Sequence, residues 1–530
     1  MSLENQHEPK GSCHLSIFPV CTPACSRCGI LLNKTRQTIQ SRRPTEFPAM
    51  LSLCSRTPSP PLFPFLPESK PSDRKPKALH AANQPHHSLS NPTADNRQLE
   101  TERGLQFEVS DSFFRHESLT GRDLGVLAAF IYKRSKSQLR VLDAMCGCGI
   151  RSLRYLAEAE ADFVLANDAN DEYRRIILSN LSQIPRYSGD KRRWAVTHFD
   201  ANRIMTELYL QKDFFDFIDV DSFGSDSSFL RSAFNALKLD GLIYVTSTDG
   251  YSSGGHRPHN SLASYGAYIR PMPYSNEIGL RMLIGGAVRE ASVLGYCIKP
   301  IFSYYSYHGP VFRVMLRVNR GKLTVTRHYG FISYCFKCGN SQAYSWDELG
   351  QISCTCSDGK HSHSLVVSGP LWTGPLHDAS YLTHMFNLAE EWGWVGNGAG
   401  FHLEKLLKQM IDESDPKFPF GYIKLDEIAS RAKTNSPPLR TMISILQKEG
   451  YAASRSHIAS NAIKTNCPMA MCVRIVKELQ AAEEIKSTRC KTGSKEMALG
   501  LFGVRLFSTE VITSGMEEVI HDYTMLVRNL

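Results

Sequence analysis

The chain has 530 residues, 42% of them hydrophobic and 21% charged, a length that allows two or three domains with sizeable cores. It contains no apolar run approaching the roughly 20 residues that a membrane helix needs, which argues against a spanning helix. A formal net charge of +9 permits an anionic partner without requiring one.

The leader, residues 1–103, is rich in Pro, Ser, Arg and Lys and has little periodic apolar pattern, as in SRTPSPPLFPFLPESKPSDRKPK (55–77). Such a composition predicts disorder. Met50 opens MLSLCSRTPSPP, which has hydroxyls, a basic residue and no acid before Glu68. This suits a transit peptide for a plastid or mitochondrion, the alternative being a plain disordered tail on a nuclear or cytoplasmic protein. Cys21, Cys25 and Cys28 read as ordinary leader cysteines rather than metal ligands. The folded part is expected from about Gly104, where FEVSDSFFRHESLTGRDLGVLAAFIYKR (107–134) starts extended and turns helical, with Arg122 and Asp123 near the helix start.

Residues 104–320 predict an α/β domain, because hydrophobic runs ending in small or acidic turns alternate with helical stretches. Four such units follow in order: LRVLDAMCGCGIR (139–151), VLANDAN (164–170), HFDAN (198–202) and FDFIDVDSFGS (215–225). In a parallel sheet these turns lie at the carboxyl ends of the strands, where ligands bind. In the first, Asp143 ends a buried strand, and Gly147 and Gly149 let the backbone turn tightly beside a ligand. Arg151 stands where a dinucleotide fingerprint would have its third glycine. In the second, Asp168 is placed to accept hydrogen bonds from ribose hydroxyls. In the third, Asp200 beside the small Ala201 suits the edge and exocyclic amine of an adenine. Ribose, adenine and a glycine turn without a pyrophosphate cradle point to S-adenosylmethionine rather than NAD.

The fourth unit suits a different task. The lone pair of an amino group on a base is delocalised into the ring, so methylating it requires hydrogen-bond acceptors that align the nitrogen. Asp221 and the carbonyl of Ser222 are placed to accept from such an amine, and Phe223 is placed to stack on the base.

Residues 321–480 read as a smaller α+β domain. Cys335 and Cys338 form a knuckle, and Cys354 and Cys356 a tighter second pair. Four thiolates so spaced fit a structural zinc site, with His361 or His363 as substitutes, the alternative being reduced, metal-free cysteines. KLDEIASRAKTNSPPLRTMISILQKEGYAASRSH (424–457) predicts helix, turn, helix and an extended stretch, a winged-helix-like pattern. Lys433, Arg440, Lys448, Arg455, His457 and Lys464 supply charge that either meets phosphates or forms a solvated face. Residues 481–530 are a tail without a recognised pattern. Fifteen cysteines without a secreted-type framework indicate a reducing compartment.

The whole series resembles the tRNA (guanine-26-N2)-dimethyltransferase family, a group of class I methyltransferases. The resemblance runs from about 104 to about 470 and rests on GRD (121–123), CGIR (148–151), ND (167–168), DAN (200–202), DVDSFGS (219–225), TSTDG (246–250) and GPLWTGPL (369–376). It continues through SPPL, GYAASRSH and IKT between 436 and 465. It implies a Rossmann-like sheet, S-adenosylmethionine bound through Arg122, Arg151, Asp168, Asp200 and Ala201, and a tRNA substrate held partly by the C-terminal module. The two arginines are then anchors for the methionyl carboxylate. Some members carry a four-cysteine zinc site. This chain has Ser222 where the family usually has proline, Arg115-His116 where it has Asn-Pro, and Gly121 where it has Asn. The rival readings are a tRNA-binding protein that keeps the fold with weak or no catalysis, and an amino-methyltransferase with another target.

Overall fold

The computed structural model describes residues 98–496, apart from 111, 322–327, 357–363, 397 and 399. The expected leader, His361, His363 and the tail beyond 496 lie outside the described residues. The first strand begins at Leu99, ahead of Gly104, and β1 (Leu99–Glu102) pairs antiparallel with β2 (Leu105–Glu108). Helix α1 (Leu119–Lys136) follows and ends on Ser137 in the left-handed region.

The central sheet then forms from β3 (Arg140–Asp143), β4 (Phe163–Asn167), β7 (Trp194–Thr197), β8 (Phe215–Asp221), β9 (Leu237–Ser247), β10 (Tyr296–Ser306) and β11 (Val311–Arg320). Its order is β7-β4-β3-β8-β9-β11-β10; β11 is antiparallel to both neighbours and the other pairs are parallel. The chain steps outward from β3 through β4 to β7, then returns to the other side with β8. The topological switch point therefore lies between β3 and β8, the place where such sheets bind ligands. A two-stranded ribbon, β5 (Tyr187–Ser188) with β6 (Lys191–Arg192), precedes β7.

Side-chain alternation along these strands divides the core in two. Val141, Val164, Phe217, Leu242 and Met315 face one layer, and Leu142, Leu165, Ile218, Ile243 and Val314 the other. Period-2 alternation with both faces apolar is what a sheet covered on both sides requires. The first layer holds α1, α2 (Ile150–Ala157) and α3 (Arg174–Leu181); the second holds α4 (Ala201–Leu210), α5 (Leu230–Ala236) and α8 (Ser275–Val293). The short helices α6 (Gly250–Ser253) and α7 (Pro258–Tyr265) follow β9.

The segment after 320 does not keep to itself as a separate domain. The sheet β13-β12-β14, made of β12 (Tyr329–Cys335), β13 (Ser341–Tyr344) and β14 (Leu365–Trp372), shares the second core through Ile332, Tyr334 and Leu371. Helices α9 (Ala379–Glu391) and α10 (Gly400–Asp412) bury Leu382, Met385, Leu403 and Leu407 in the first core, beside α1. A division at 320 is thus corrected: sequence periodicity shows that these helices are amphipathic, but not which layer their apolar face joins.

The winged-helix expectation matches the elements. Strand β15 (Ile423–Lys424), α11 (Leu425–Ala432), α12 (Leu439–Lys448), β16 (Ala453–Arg455) and β17 (Ala462–Thr465) form a helix pair beside a small antiparallel sheet of order β15-β17-β16. With α13 (Met469–Glu496) they enclose a third core around Ile428, Met442, Leu446 and Ile463.

Candidate active site

The four sequence motifs come together at the carboxyl edge of β3, β4, β7 and β8. Gly147 and Gly149 have φ of +55° and +82°, a region that penalises a side chain. A Cβ on Gly147 would find its nearest heavy atom, the Phe113 carbonyl oxygen, 3.9 Å away, so the backbone there is open to a ligand. The Asp168 carboxylate accepts from the Gly147 N–H (2.8 Å) and the Asn170 N–H (2.9 Å), which ties the β4 end to the glycine turn. Asp200 caps α4 by accepting from the Arg203 N–H (3.1 Å), and Ala201 is buried at the first position of that helix. These acceptors and openings fit a nucleoside-bearing cofactor laid across the strand ends.

The organiser of this edge is a residue that sequence reasoning passed over. Asn167 is fully buried and donates to the Ala144 and Phe199 carbonyls (3.0 and 2.9 Å). Its oxygen accepts from the Thr197 hydroxyl (2.8 Å) and the Phe199 N–H (3.1 Å), so one amide joins the ends of β3, β4 and β7. It stood in plain view as the Asn of the ND pair.

A second network lies at the switch point. Arg151 donates to Asp219 (2.8 Å) and to Asp221 from separate guanidinium nitrogens. Tyr155, one helical turn on, donates to Asp219 (2.6 Å). Arg313, on β11, lies 3.7 Å from Asp221. Burial raises the Asp221 carboxyl, but Arg151 and Arg313 outweigh it and hold the group below the usual carboxylate range. Burial, reinforced by Asp219, pushes Asp143 up to about 8, and it accepts from the Ser152 hydroxyl (2.7 Å). Burial likewise raises Asp219, against the pull of Arg151 and Tyr155, whereas the acid at the rim is held low.

Arg122 is buried, donates to Glu102 through Nε (2.9 Å) and through Nη2, and donates to the Arg115 carbonyl (2.9 Å). Both expected carboxylate anchors are thus paired with carboxylates of the chain itself. Ser222 is buried, and its hydroxyl donates to the Thr246 carbonyl at the end of β9 (3.0 Å). Gly224 N–H donates to the Thr248 hydroxyl (2.7 Å), and its carbonyl accepts from the Thr248 N–H (2.8 Å), so the SFG turn is fastened to TSTDG. Phe223 projects outward, 69% exposed, and meets the 51%-exposed Phe113 edge to face at 4.7 Å between centroids. Asp219, Arg313 and Phe113 were missed; an acid inside the apolar strand FDFIDVD was the available signal for the first.

Away from this edge, the four sulfurs of Cys335, Cys338, Cys354 and Cys356 converge, all within 4.8 Å of one another. Among the proposed phosphate contacts, Lys433, Arg440 and Lys448 are exposed and Arg455 is half-buried. Lys464 and His457 are not available: Lys464 is buried 2.9 Å from Glu277, and the enclosed His457 ring lies 3.0 Å from Glu413.

This strand order, with a glycine turn after the first strand and acids closing the next three, defines a class I S-adenosylmethionine-dependent methyltransferase. A family profile described as N2,N2-dimethylguanosine tRNA methyltransferase matches residues 98–477. The tRNA (guanine(26)-N(2))-dimethyltransferase of Metallosphaera sedula is 30% identical over 380 residues, which are 71% of this chain and 91% of that protein. The enzyme of that name from Schizosaccharomyces pombe is 29% identical over 353 residues, 62% of this chain and 61% of its own. The structure of Trm1 from Pyrococcus horikoshii with S-adenosyl-L-methionine aligns with a TM-score of 0.61 at 26% identity, covering 71% of this chain and 99% of that one. The chain belongs to the N2,N2-dimethylguanosine tRNA methyltransferase family, and is a tRNA guanine-N2 dimethyltransferase.

Proposed function

We propose that the target is the guanine at position 26, the position in the relatives' names, and that Asp221 is the group that orients its amine. One observation carries the assignment: a carboxylate at the switch point, held between Arg151 and Arg313, stands two residues from an exposed aromatic ring. S-adenosylmethionine, when bound, supplies an electrophilic methyl group. Asp221 and the Ser222 carbonyl accept hydrogen bonds from the N2 amine and turn its lone pair toward that methyl. The two arginines keep Asp221 an acceptor rather than an acid. Phe223 and Phe113 offer ring faces and edges to a base displaced from its stack.

Gly147 and Gly149 let the cofactor approach the backbone, with Asp143 as the buried floor beneath. Asp168 meets the ribose, and Asp200 with Ala201 the adenine edge. Arg122 and Arg151 meet the methionyl carboxylate, each sharing its donors with the acid it already holds. Incubating the protein with labelled cofactor and unmodified tRNA, followed by nucleoside analysis, tests this. Label in N2-methylated guanosines, lost in Asp221→Asn with cofactor affinity kept, is the expected result. Label in another nucleoside, or an active Asp221→Asn, overturns the assignment.

The cysteine cluster supports a structural zinc. Cys335–Cys356, Cys338–Cys354 and Cys354–Cys356 sulfur separations are 3.5, 3.4 and 3.4 Å. A tetrahedron of ~2.3 Å Zn–S bonds has edges of about 3.8 Å. The exposed cations of the winged-helix module support a contact with tRNA phosphates. The leader composition supports import into a plastid or mitochondrion. Fluorescent fusions of residues 1–100, and of a version starting at Met50, test this; diffuse signal from both refutes it.

A further inference from the structure

Beyond the base-stacking ring at Phe223, the rim carries two more solvent-facing aromatic side chains that the proposed chemistry does not use. Tyr251, just past β9, is 62% exposed, and Tyr307, in the β10–β11 turn, is 73% exposed. Each is paired with a basic group. The Arg257 guanidinium lies 4.7 Å from the Tyr251 ring centroid, and the His308 ring lies 4.0 Å from that of Tyr307 at 37°. Exposed tyrosines bury nothing where they stand, so a pair of them, one beside a guanidinium and the other beside an imidazole, is a surface prepared for something flat and anionic.

Close contacts join these rings to the base site. Arg115 lies over the Phe113 ring (5.0 Å), and its Nη1 is 3.4 Å from where a Cβ of Gly309 would sit. The neighbouring Pro310 packs so tightly on Gly250 that a Cβ there would come within 2.3 Å of it. The line from Phe223 through Phe113, Arg115 and the 307–310 turn to Gly250, the residue before Tyr251, is therefore continuous.

We infer that Tyr251 and Tyr307, with Arg257 and His308, form a ledge on which the tRNA nucleotides flanking the target guanine stack. The inference rests on tRNA being the substrate. Displacing one base leaves its neighbours with a free face, and aromatic rings accept such faces regardless of sequence, while the Arg257 guanidinium and a His308 ring N–H meet the adjoining phosphates.

The test measures binding of an unmodified tRNA transcript, methyl transfer, and cofactor affinity for Tyr251→Ala, Tyr307→Ala and the two phenylalanine variants. Each alanine variant is expected to weaken tRNA binding about tenfold at unchanged cofactor affinity, and the phenylalanine variants to stay near wild type. Placing 2-aminopurine beside the target guanine gives a second readout, a stacking-dependent fluorescence change that the alanine variants lose. Should Tyr251→Ala also lower cofactor affinity, Arg257→Gln repeats the measurement on a solvated side chain. Alanine variants and Arg257→Gln that bind and methylate tRNA like wild type overturn the ledge and leave the tRNA assignment standing. A wild-type chain that neither binds nor methylates tRNA overturns both.

Discussion

Replacing Glu277 by Gln should unfasten the C-terminal module from the methyltransferase body. Glu277 is fully buried on α8, and its Oε1 accepts from Arg281 Nε and Nη2 (2.9 and 2.8 Å) and from the Gly421 N–H (2.6 Å). Lys464 Nζ, from β17, lies 2.9 Å from Oε2. Burial alone would raise this carboxyl, but Lys464 and then Arg281 bring it from 4.5 down to about 2. That drop corresponds to roughly 3 kcal/mol of stability. Because the folded value lies below the unfolded one, the contribution is complete above about pH 4.5 and disappears as pH falls toward 2. The glutamine variant leaves Arg281 and Lys464 buried with no anion between them, a change that costs about 3–5 kcal/mol. Melting followed by calorimetry at neutral pH should show a loss on the order of 5 °C. The gap to wild type should hold constant down to about pH 5 and narrow below it. Adding Lys464→Met to the variant should recover part of the loss, since one stranded charge is removed. A variant that melts within a degree or so of wild type at neutral pH would refute the reasoning.

Asp221→Asn should lower kcat by about 100- to 1000-fold with cofactor affinity nearly unchanged, measured by single-turnover methylation. Since Asp221 is held below the usual carboxylate range, wild-type kcat should show no acid limb from this group at or above that range, and such a limb would contradict its ionised role. Ser222→Ala removes the bond to the Thr246 carbonyl and should cost about 1 kcal/mol in denaturant unfolding, with a larger proportional loss in kcat than in cofactor affinity. An equal loss in both would assign Ser222 to the fold alone. Cys335→Ser should remove one equivalent of zinc per chain, read by elemental analysis of the purified protein, and lower its thermal stability; wild-type protein that holds no zinc would leave the cluster as free thiols.

The strands and their rim were legible because each buried run ends in an acid or glycine, residues that a sheet covered on both faces favours at its ends. The docking of α9 and α10 was not legible, because amphipathic periodicity states that a face is apolar and is silent about the layer it meets. His457 and Lys464 were misplaced on a solvated surface for a related reason: charge suggests exposure until an acid such as Glu413 or Glu277 is brought beside it by a distant helix. The core of the site sits between these cases. Asp219 and Asp221 are two apart on β8, so their side chains leave the same face of the sheet. Two carboxylates so close cannot both ionise in a buried setting without a cation near them. Arg151 and Tyr155 are four apart on α2 and so share one helix face, and both reach Asp219. The strand period of two and the helix period of four thus meet at one point. The family resemblance gives Arg151 as an anchor for the cofactor alone. Its second partner, Asp221, makes the same guanidinium the link between the cofactor pocket and the group that orients the amine.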